Sequence, residues 1–326
     1  MAALRDNAGR NIDYLRISVT DRCNLRCSYC VPAEGVEAAP PYRLLSVEEI
    51  LAVVKAARTL GVTHVRLTGG EPLVRRELSE IIRGVRDLGI EDISLTTNGV
   101  LLADSAVSLK MAGLGRVNVS LDSLDPAAFR KITRTGNVDD VLSGIGTAIL
   151  AGLSPVKVNA VVMAGVNEDG IEDLARLSQT LPVHVRFIEV MPIGPDAEAN
   201  SCAVVPMDQI KARVARLGPM DAERGVIGAG PAETYRLRGA PGTVGFIAPL
   251  SHPFCSSCNR LRVTADGKLR PCLASDIEID LVPALRSDDV QAALTAAFRQ
   301  ALLGKPKGHE LWSHHAHSRR MCQIGG

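Results

Sequence analysis

The sequence predicts an α/β fold built on a parallel sheet or barrel, and three features predict it. Between residues 15 and 190, short β-branched runs alternate with longer amphipathic ones, the order that strand–crossover–strand units require. Polar and reactive residues recur where each strand ends, which is where parallel α/β sheets and barrels carry their sites. The alternation stops after Met191, dividing the chain into a region 1–191 and a second region 192–326.

The elements follow in order. Leu15-Arg16-Ile17-Ser18-Val19-Thr20 alternates apolar with polar side chains, as a half-buried strand does, and runs into Cys23-Asn24-Leu25-Arg26-Cys27-Ser28-Tyr29-Cys30. Ser46-Val47-Glu48-Glu49 is a capping box, followed by a helical stripe of Val47, Ile50, Leu51, Val54 and Ala57 that ends at Gly61. Strands at 65–67, 93–96, 117–121, 156–163 and 183–190 then alternate with helices at 77–88, 104–112, 138–151 and 169–181. The second strand opens into Thr68-Gly69-Gly70-Glu71-Pro72 and the third into Thr96-Thr97-Asn98-Gly99. The fourth carries Ser120 and Asp122, the fifth Lys157 and Asn159, the sixth Arg186, Glu189 and Met191. Residues 192–206, rich in Pro, Gly and Asn, read as a linker or active-site loop. A helix at 207–217 and short strands near 235–237 and 244–247 follow. Cys255-x2-Cys258 is joined by Cys272 after a hairpin that turns at Asp266-Gly267, and residues 290–303 form a helix. The last stretch, 305–326, is basic and closes on Ile324-Gly325-Gly326; its histidine-rich segment, His309, His314, His315 and His317, reads as solvated and partly helical, with metal binding the alternative.

Composition narrows the class. A chain of 326 residues buries a large core, and a net charge of +1 gives no sequence-independent grip on nucleic acid or an anionic membrane. Met1 to Tyr14 lacks an apolar signal core, and no apolar run is long enough to span a bilayer. Eight cysteines without a secretion signal read as metal ligands, so the expected compartment is reducing and cytoplasmic.

The cysteines carry the chemistry. Cys23-x3-Cys27-x2-Cys30 packs three soft ligands into eight residues, which suits zinc or an iron–sulfur cluster. A cubane on three cysteines keeps one iron open, as catalytic metal sites keep an open position; a three-Cys zinc site with a distant fourth ligand is the lesser alternative. Cys255, Cys258 and Cys272 pose the same choice between a zinc ribbon and a second cluster, while Cys202 and Cys322 read as free thiols. Gly69-Gly70-Glu71-Pro72 lacks the further Gly and Lys of a P-loop; its glycines let a backbone approach a ligand closely and Pro72 stiffens the turn. Arg16, Arg66 and Arg186 lie in apolar strands, and Arg260 and Arg262 follow the second cysteine pair. An arginine in such a strand needs an anion, and several directed at one cavity suggest a polyphosphate substrate.

The first cysteine stretch, with Tyr29 before its last thiol, resembles the signature of the radical S-adenosylmethionine (SAM) enzymes. From Asn11 to Gly326 the chain is similar to the molybdenum cofactor biosynthesis protein A family, the GTP 3′,8-cyclases. The similarity is carried by that stretch, by Arg66 to Pro72, Leu95 to Gly99, Asn118 to Asp122, Arg186 to Met191 and Phe254 to Arg262, and by the final Ile324-Gly325-Gly326. The resemblance implies an incomplete (β/α)6 barrel whose mouth the C-terminal region closes. It implies two 4Fe-4S clusters, one on Cys23, Cys27 and Cys30 that cleaves SAM, the other on Cys255, Cys258 and Cys272 that meets the guanine of GTP. Tyr29, Gly70, Ser120 and Met191 match SAM contacts, and Arg16, Arg66, Thr96, Lys157, Arg260, Leu261 and Arg262 match GTP contacts. Arg16, Arg260, Arg262, Gly325 and Gly326 match the catalytic set, the glycine ending reaching into the active site to help fix Arg16. The implied reaction is abstraction of the ribose C3′ hydrogen by a 5′-deoxyadenosyl radical and closure onto guanine C8, giving 3′,8-cyclo-7,8-dihydro-GTP in the first step of molybdenum cofactor biosynthesis. The implied partners are a reductant such as flavodoxin or ferredoxin and the next enzyme, cyclic pyranopterin monophosphate synthase; a homodimer is one assembly this allows. His64 departs from the pattern, since relatives commonly carry lysine there. A radical SAM peptide-modifying enzyme and a non-enzymatic iron–sulfur or zinc protein remain the alternative readings.

Overall fold

The computed structural model describes residues 4–35, 44–194, 197–228, 230–309, 311 and 319–325, without the side chains of 198 and 199. Strand β1 (Tyr14–Ser18) leads through the cysteine loop to α1 (Val47–Thr59), β2 (His64–Thr68), α2 (Leu78–Asp87), β3 (Asp92–Thr97), α3 (Leu102–Ala112) and β4 (Arg116–Ser120). Two helices, α4 (Pro126–Thr133) and α5 (Val138–Leu150), precede β5 (Val156–Val162), then α6 (Ile171–Thr180) and β6 (Val183–Glu189). After these come α7 (Ala197–Cys202), α8 (Met207–Ala215), β7 (Met220–Ala222), β8 (Glu233–Leu237) and β9 (Thr243–Ile247). The hairpin strands β10 (Arg260–Val263) and β11 (Lys268–Arg270), then β12 (Ile279–Asp280), α9 (Val290–Leu303) and α10 (Met321–Ile324), complete the described order.

Local chemistry sets these boundaries. Ser46 accepts the Glu49 amide at 3.2 Å while Glu49 accepts the Ser46 amide at 2.8 Å, closing the expected capping box of α1. Helix α4 has no counterpart in the sequence reading, although Asp125 accepts the Ala128 amide at 2.6 Å and Pro126 occupies its first position. The segment expected to be a loop after Met191 contains α7.

β1 to β6 form a parallel sheet in sequence order, each linked to the next by helical crossovers. Alternation sorts its side chains. Leu15, Ile17, Val65, Leu67, Ile93, Leu95, Val117, Val119, Val158, Val185 and Phe187 are buried in one core with Ile50, Val54, Ile81, Ile145 and Leu174 of the helices. Their neighbours along each strand, among them Arg16, Arg66, Ser94, Asn118, Lys157 and Arg186, therefore line the opposite face.

The C-terminal region extends this sheet at both edges instead of standing apart from it. β10 runs parallel to β1, pairing Arg262 with Arg16, and β9 runs parallel to β6, pairing Gly245 with Arg186. Its apolar residues Phe246, Leu261, Val263, Leu294 and Phe298 belong to the same core as the first six strands, and the Phe187 and Phe246 rings stack at 6.1 Å. The break after Met191 is thus one of topology, with no matching break in packing. Among the described residues no helix is long and apolar enough to cross a membrane.

A shared core means shared stability. Phe246→Ala, in the C-terminal region, removes a ring exposed by only 2 % and should cost about 3–5 kcal/mol. Urea titration followed by far-UV circular dichroism should show one transition moved to lower urea, with the first six strands lost together with β9. Two transitions, only the smaller one moved, would show two independent cores.

Candidate active site

The loop after β1 is held from several sides. Arg26 and Ser28 donate their amides to Thr133 and Ile132 at the end of α4, at 3.1 and 2.9 Å. The guanidinium of Arg134 donates to the carbonyls of Arg26 and Val31 at 2.9 Å each, and that of Arg26 donates to Cys23 at 2.6 Å. Asn98, at the end of β3, bonds the side chain of Asn24 at 2.7 Å and approaches the Cys23 sulfur at 3.8 Å.

Glycine permits the closest approach. The amides of Gly70 and Glu71 donate to Thr20 and Arg22 at 2.8 and 2.7 Å. A Cβ on Gly70 would lie 2.4 Å from the Arg22 carbonyl and 2.6 Å from that of Asp21. The glycines expected to admit a ligand thus first admit the backbone of the cysteine loop. Glu71, fully buried, accepts from Leu73, Thr97 and Asn98 at 3.0, 2.7 and 2.6 Å and joins three loop segments. Burial pushes its pKa up to about 7 against the pull of those bonds.

Three soft thiol ligands close together in the chain fit an iron–sulfur cluster. Cys23, Cys27 and Cys30 are half-buried. Burial raises the Cys27 pKa, with Asp122 and Cys23 adding repulsion; burial likewise raises that of Cys23. Three thiolates here require a multivalent cationic group among them, which a cluster provides with its irons at separate corners. Cys30 makes its main contact with Cys322, whose thiol it hydrogen-bonds, so its own proton is held well above the usual range. Tyr29 commits its hydroxyl to Asp122 at 2.8 Å, leaving its ring face and backbone for any SAM contact.

The second triplet, Cys255, Cys258 and Cys272, is likewise half-buried. Burial raises the Cys258 thiol, but Arg260 and Lys305 outweigh it and bring the pKa down to about 7. The two triplets present the same all-thiol donor set, which fits an iron–sulfur cluster at each.

Between them lies the cationic face of the sheet, on which Arg262, Arg16, Arg66 and Ser94 stand abreast and Arg116 follows. Arg16, Arg116, Lys157, Arg186 and Arg262 are all below 9 % exposed. Neutral groups meet several of them: Asn159 and Asn118 accept from Arg186 at 2.8 and 2.6 Å, Ser94 from Arg66 at 3.2 Å, and the carbonyls of Ile227 and Gly228 from Lys157 at 2.5 and 2.7 Å. Asp92, a carboxylate, chelates Arg116 at 2.8 and 2.6 Å. Burial, then repulsion from Arg186, Arg116 and Arg66, lowers Lys157 to about 6. Burial lowers Arg186 and Arg262 to about 9 each, with Arg66 and Arg260 respectively adding repulsion. Among the described residues the Thr96 hydroxyl and one Arg116 nitrogen are buried with no hydrogen-bond partner. A face so crowded with buried cations is built for a polyanion.

The expectation of one reactive level at the strand ends is therefore corrected to two. The thiols, Gly70, Ser120, Asp122 and Met191 sit where strands end, whereas Arg66 and Lys157 lie within β2 and at the second position of β5. Arg116 went unnoticed because the fourth strand was expected to start one residue later; its alternation with Asn118 and Ser120 is the signal that marks it. Glu71, Asp92, Arg10 and Lys305 were also given no role. Cys202 is exposed, and His64 pairs with Asp92 at 3.2 Å.

The described residues 319–325 of the tail are packed against the rest of the chain. Arg319 bonds Asp266 at 2.8 Å and Glu278 at 2.7 Å, and Ile324 is buried with Ile193, Leu250 and Leu311, against which Met191 packs. Gly325, at φ +67°, ends α10 and accepts a hydrogen bond from Arg262 at 2.7 Å. The described contact of the glycine ending is thus with Arg262, while Gly326, His314, His315 and His317 lie outside the described residues.

Comparison with known proteins bears on the whole chain. Residues 17–178 match the Radical SAM superfamily and residues 183–311 match Molybdenum Cofactor Synthesis C. The GTP 3′,8-cyclase of Moorella thermoacetica is 49 % identical over 324 residues, covering 99 % of this chain and all of that one. That of Pelotomaculum thermopropionicum is 49 % identical over 325 residues, with 99 % and 100 % covered. Among solved structures, Streptococcus suis SuiB bound to S-adenosylmethionine superposes with a TM-score of 0.59 at 16 % identity, over 87 % of this chain and 68 % of that one, a likeness of fold.

The close backbone approach gives a test. Gly70→Ala should push the cysteine loop away, so that anaerobic reconstitution gives a protein with iron only at the second triplet. Wild-type iron content and SAM affinity in this variant would show that the loop yields without cost.

Proposed function

The chain belongs to the GTP 3′,8-cyclase family of the radical SAM superfamily, and from that premise we propose how its own residues carry out the conversion of GTP to 3′,8-cyclo-7,8-dihydro-GTP. The carrying observation is the row of buried cations that runs across the sheet between two cysteine triplets. Cys23, Cys27 and Cys30 would hold the first 4Fe-4S cluster, and Cys255, Cys258 and Cys272 the second. Bound there, the clusters and SAM supply the one-electron chemistry that opens the ribose C3′–H bond.

The protein's part is placement. Arg66, Lys157 and the Thr96 hydroxyl, with Arg116 and Arg186 beside them, take the triphosphate, replacing amide and carbonyl acceptors with phosphate oxygens. Arg260 and Arg262, on the strand that leaves the second triplet, carry the nucleoside end, with Leu261 packed behind them in the core. Arg16 stands between Arg262 and Arg66 in register and so lies midway along the substrate. Gly70, Ser120, Met191 and the Tyr29 backbone border SAM above. Gly325 holds Arg262 in place, and the packing of residues 319–325 supports a role in catalysis for Gly325 and for Gly326, which follows it. A flavodoxin or ferredoxin as electron donor and cyclic pyranopterin monophosphate synthase as the consumer of the product complete this reading.

The decisive experiment is reconstitution with SAM, reductant and GTP. Cys27→Ala should yield neither 5′-deoxyadenosine nor cyclised product while retaining iron at the second triplet. Deleting Gly325 and Gly326 should leave SAM cleavage but abolish cyclisation. A truncated protein that cyclises GTP at the wild-type rate would sink the role given to the tail.

Lys157 makes a pH prediction whose sign follows from its environment. Free of anion its pKa is about 6, so above that pH the amine is largely neutral. A bound polyphosphate stabilises the ammonium and raises that pKa, so binding between the two values takes up a proton. GTP affinity should therefore fall as pH rises through this window. Calorimetry in buffers of different ionisation enthalpy should show uptake in the wild type and less in Lys157→Met; equal uptake in both would place the titrating group elsewhere.

A further inference from the structure

Behind the second cysteine triplet lies a buried cation with no part in the reading above. Lys305 follows α9, its amide bonded to Leu302 at 3.2 Å, and is 6 % exposed. An ammonium has three donors, and all three are used: the Arg260 carbonyl at 2.8 Å, the Pro271 carbonyl at 2.7 Å and the Cys258 sulfur at 3.7 Å. Arg260 lies two residues after Cys258, and Pro271 immediately precedes Cys272. One amine therefore ties together two chain segments that the β10–β11 hairpin separates.

Its charge is as informative as its bonds. Among the described residues Lys305 forms no ion pair with a carboxylate. A buried ammonium without a counter-ion is costly, and the negative groups beside it are the sulfurs of Cys258 and Cys272. Arg10 works next to it, donating to the Cys255 carbonyl at 2.7 Å and to Pro306 at 2.7 Å while paired to Asp6 at 2.6 Å. All three cysteine segments are thus gripped by two cations.

We propose that Lys305 is a positioning residue for the second triplet: its ammonium gathers Cys258 and Cys272 into one ligand set and, through its positive charge beside the Cys258 sulfur, raises the reduction potential of the cluster held there. Hydrogen bonds and charge at the sulfurs are what set cluster potentials, and partners behind metal ligands change affinity about 10- to 100-fold. The inference rests on the reading that this triplet holds a cluster.

The test uses the full chain with Cys27→Ala, so that the second cluster gives the only signal. Lys305→Gln keeps N–H donors without the charge, Lys305→Met removes both, and Lys305→Arg keeps both. After anaerobic reconstitution, chelator competition should show iron held about 10- to 100-fold less tightly in Lys305→Met. A redox titration followed by electron paramagnetic resonance should give a more negative midpoint in Lys305→Gln, with Lys305→Arg near the parent in both measurements. A midpoint in Lys305→Gln equal to that of the parent overturns the proposal, and this variant decides the matter even if Lys305→Met does not fold. If the Cys27→Ala parent itself binds no cluster, the two-cluster reading fails instead, with Lys305 intact.

Discussion

Crowded, buried positive charge on one face of a parallel sheet is the constraint around which this structure is arranged. Arg16, Arg66, Arg116, Lys157, Arg186 and Arg262 lie on or beside adjacent strands, and among the described residues Asp92 is a carboxylate bonded to one of them, Arg116. Such a row cannot be part of an ordinary core, because desolvation and mutual repulsion both oppose ionisation. Its survival requires the other face of the same strands to provide the stability. That face is apolar at nearly every position and packed against helices. The sheet spends its folding energy on one side so that the other can wait for an anion.

Carboxylates are used differently. Glu71, Asp122 and Glu189 are buried where β2, β4 and β6 end, and their partners are mostly backbone amides and hydroxyls. Glu71 binds the loops after β2 and β3 together; Glu189 accepts the amides of Leu250 and Ser251 at 2.9 and 3.0 Å and so ties β6 to the segment before the second triplet. Negative groups stitch the loops that hold the thiols, and positive groups line the cavity below. Keeping the signs apart preserves the field that a triphosphate meets, since a carboxylate among the arginines would compete with it.

Much of this was legible because alternation and helical periodicity are local properties. Leu15 to Thr20 shows which side chains share a face, and Ser46 with Glu49 shows where a helix begins. The cysteine spacing and Gly69-Gly70-Glu71-Pro72 likewise declare themselves within a few residues. What stayed hidden depends on contacts far apart in sequence. Nothing near Arg262 says that it will lie beside Arg16, nor near Gly245 that it will lie beside Arg186. Lys305 reads as the start of a basic tail until the fold brings it between Cys258 and Cys272. Gly70 was legible as a site of close approach, but not what approaches it.

The tail carries this lesson furthest. A polar, histidine-containing segment has the composition of solvated chain, and only Ile324 hints at burial. Yet the described residues 319–325 touch each functional layer in turn. Arg319 is paired to the turn of the β10–β11 hairpin, Cys322 meets Cys30 of the first triplet, and Gly325 accepts from Arg262 beside the second. Geometry makes this possible only with glycine at 325, because the backbone there has φ +67° and a Cβ would fall 2.7 Å from the Thr68 methyl. A short helix capped in this way delivers a carbonyl into a crowded cavity without a side chain. It thereby links the positions of a first-triplet thiol and a substrate-facing arginine through four residues of rigid structure.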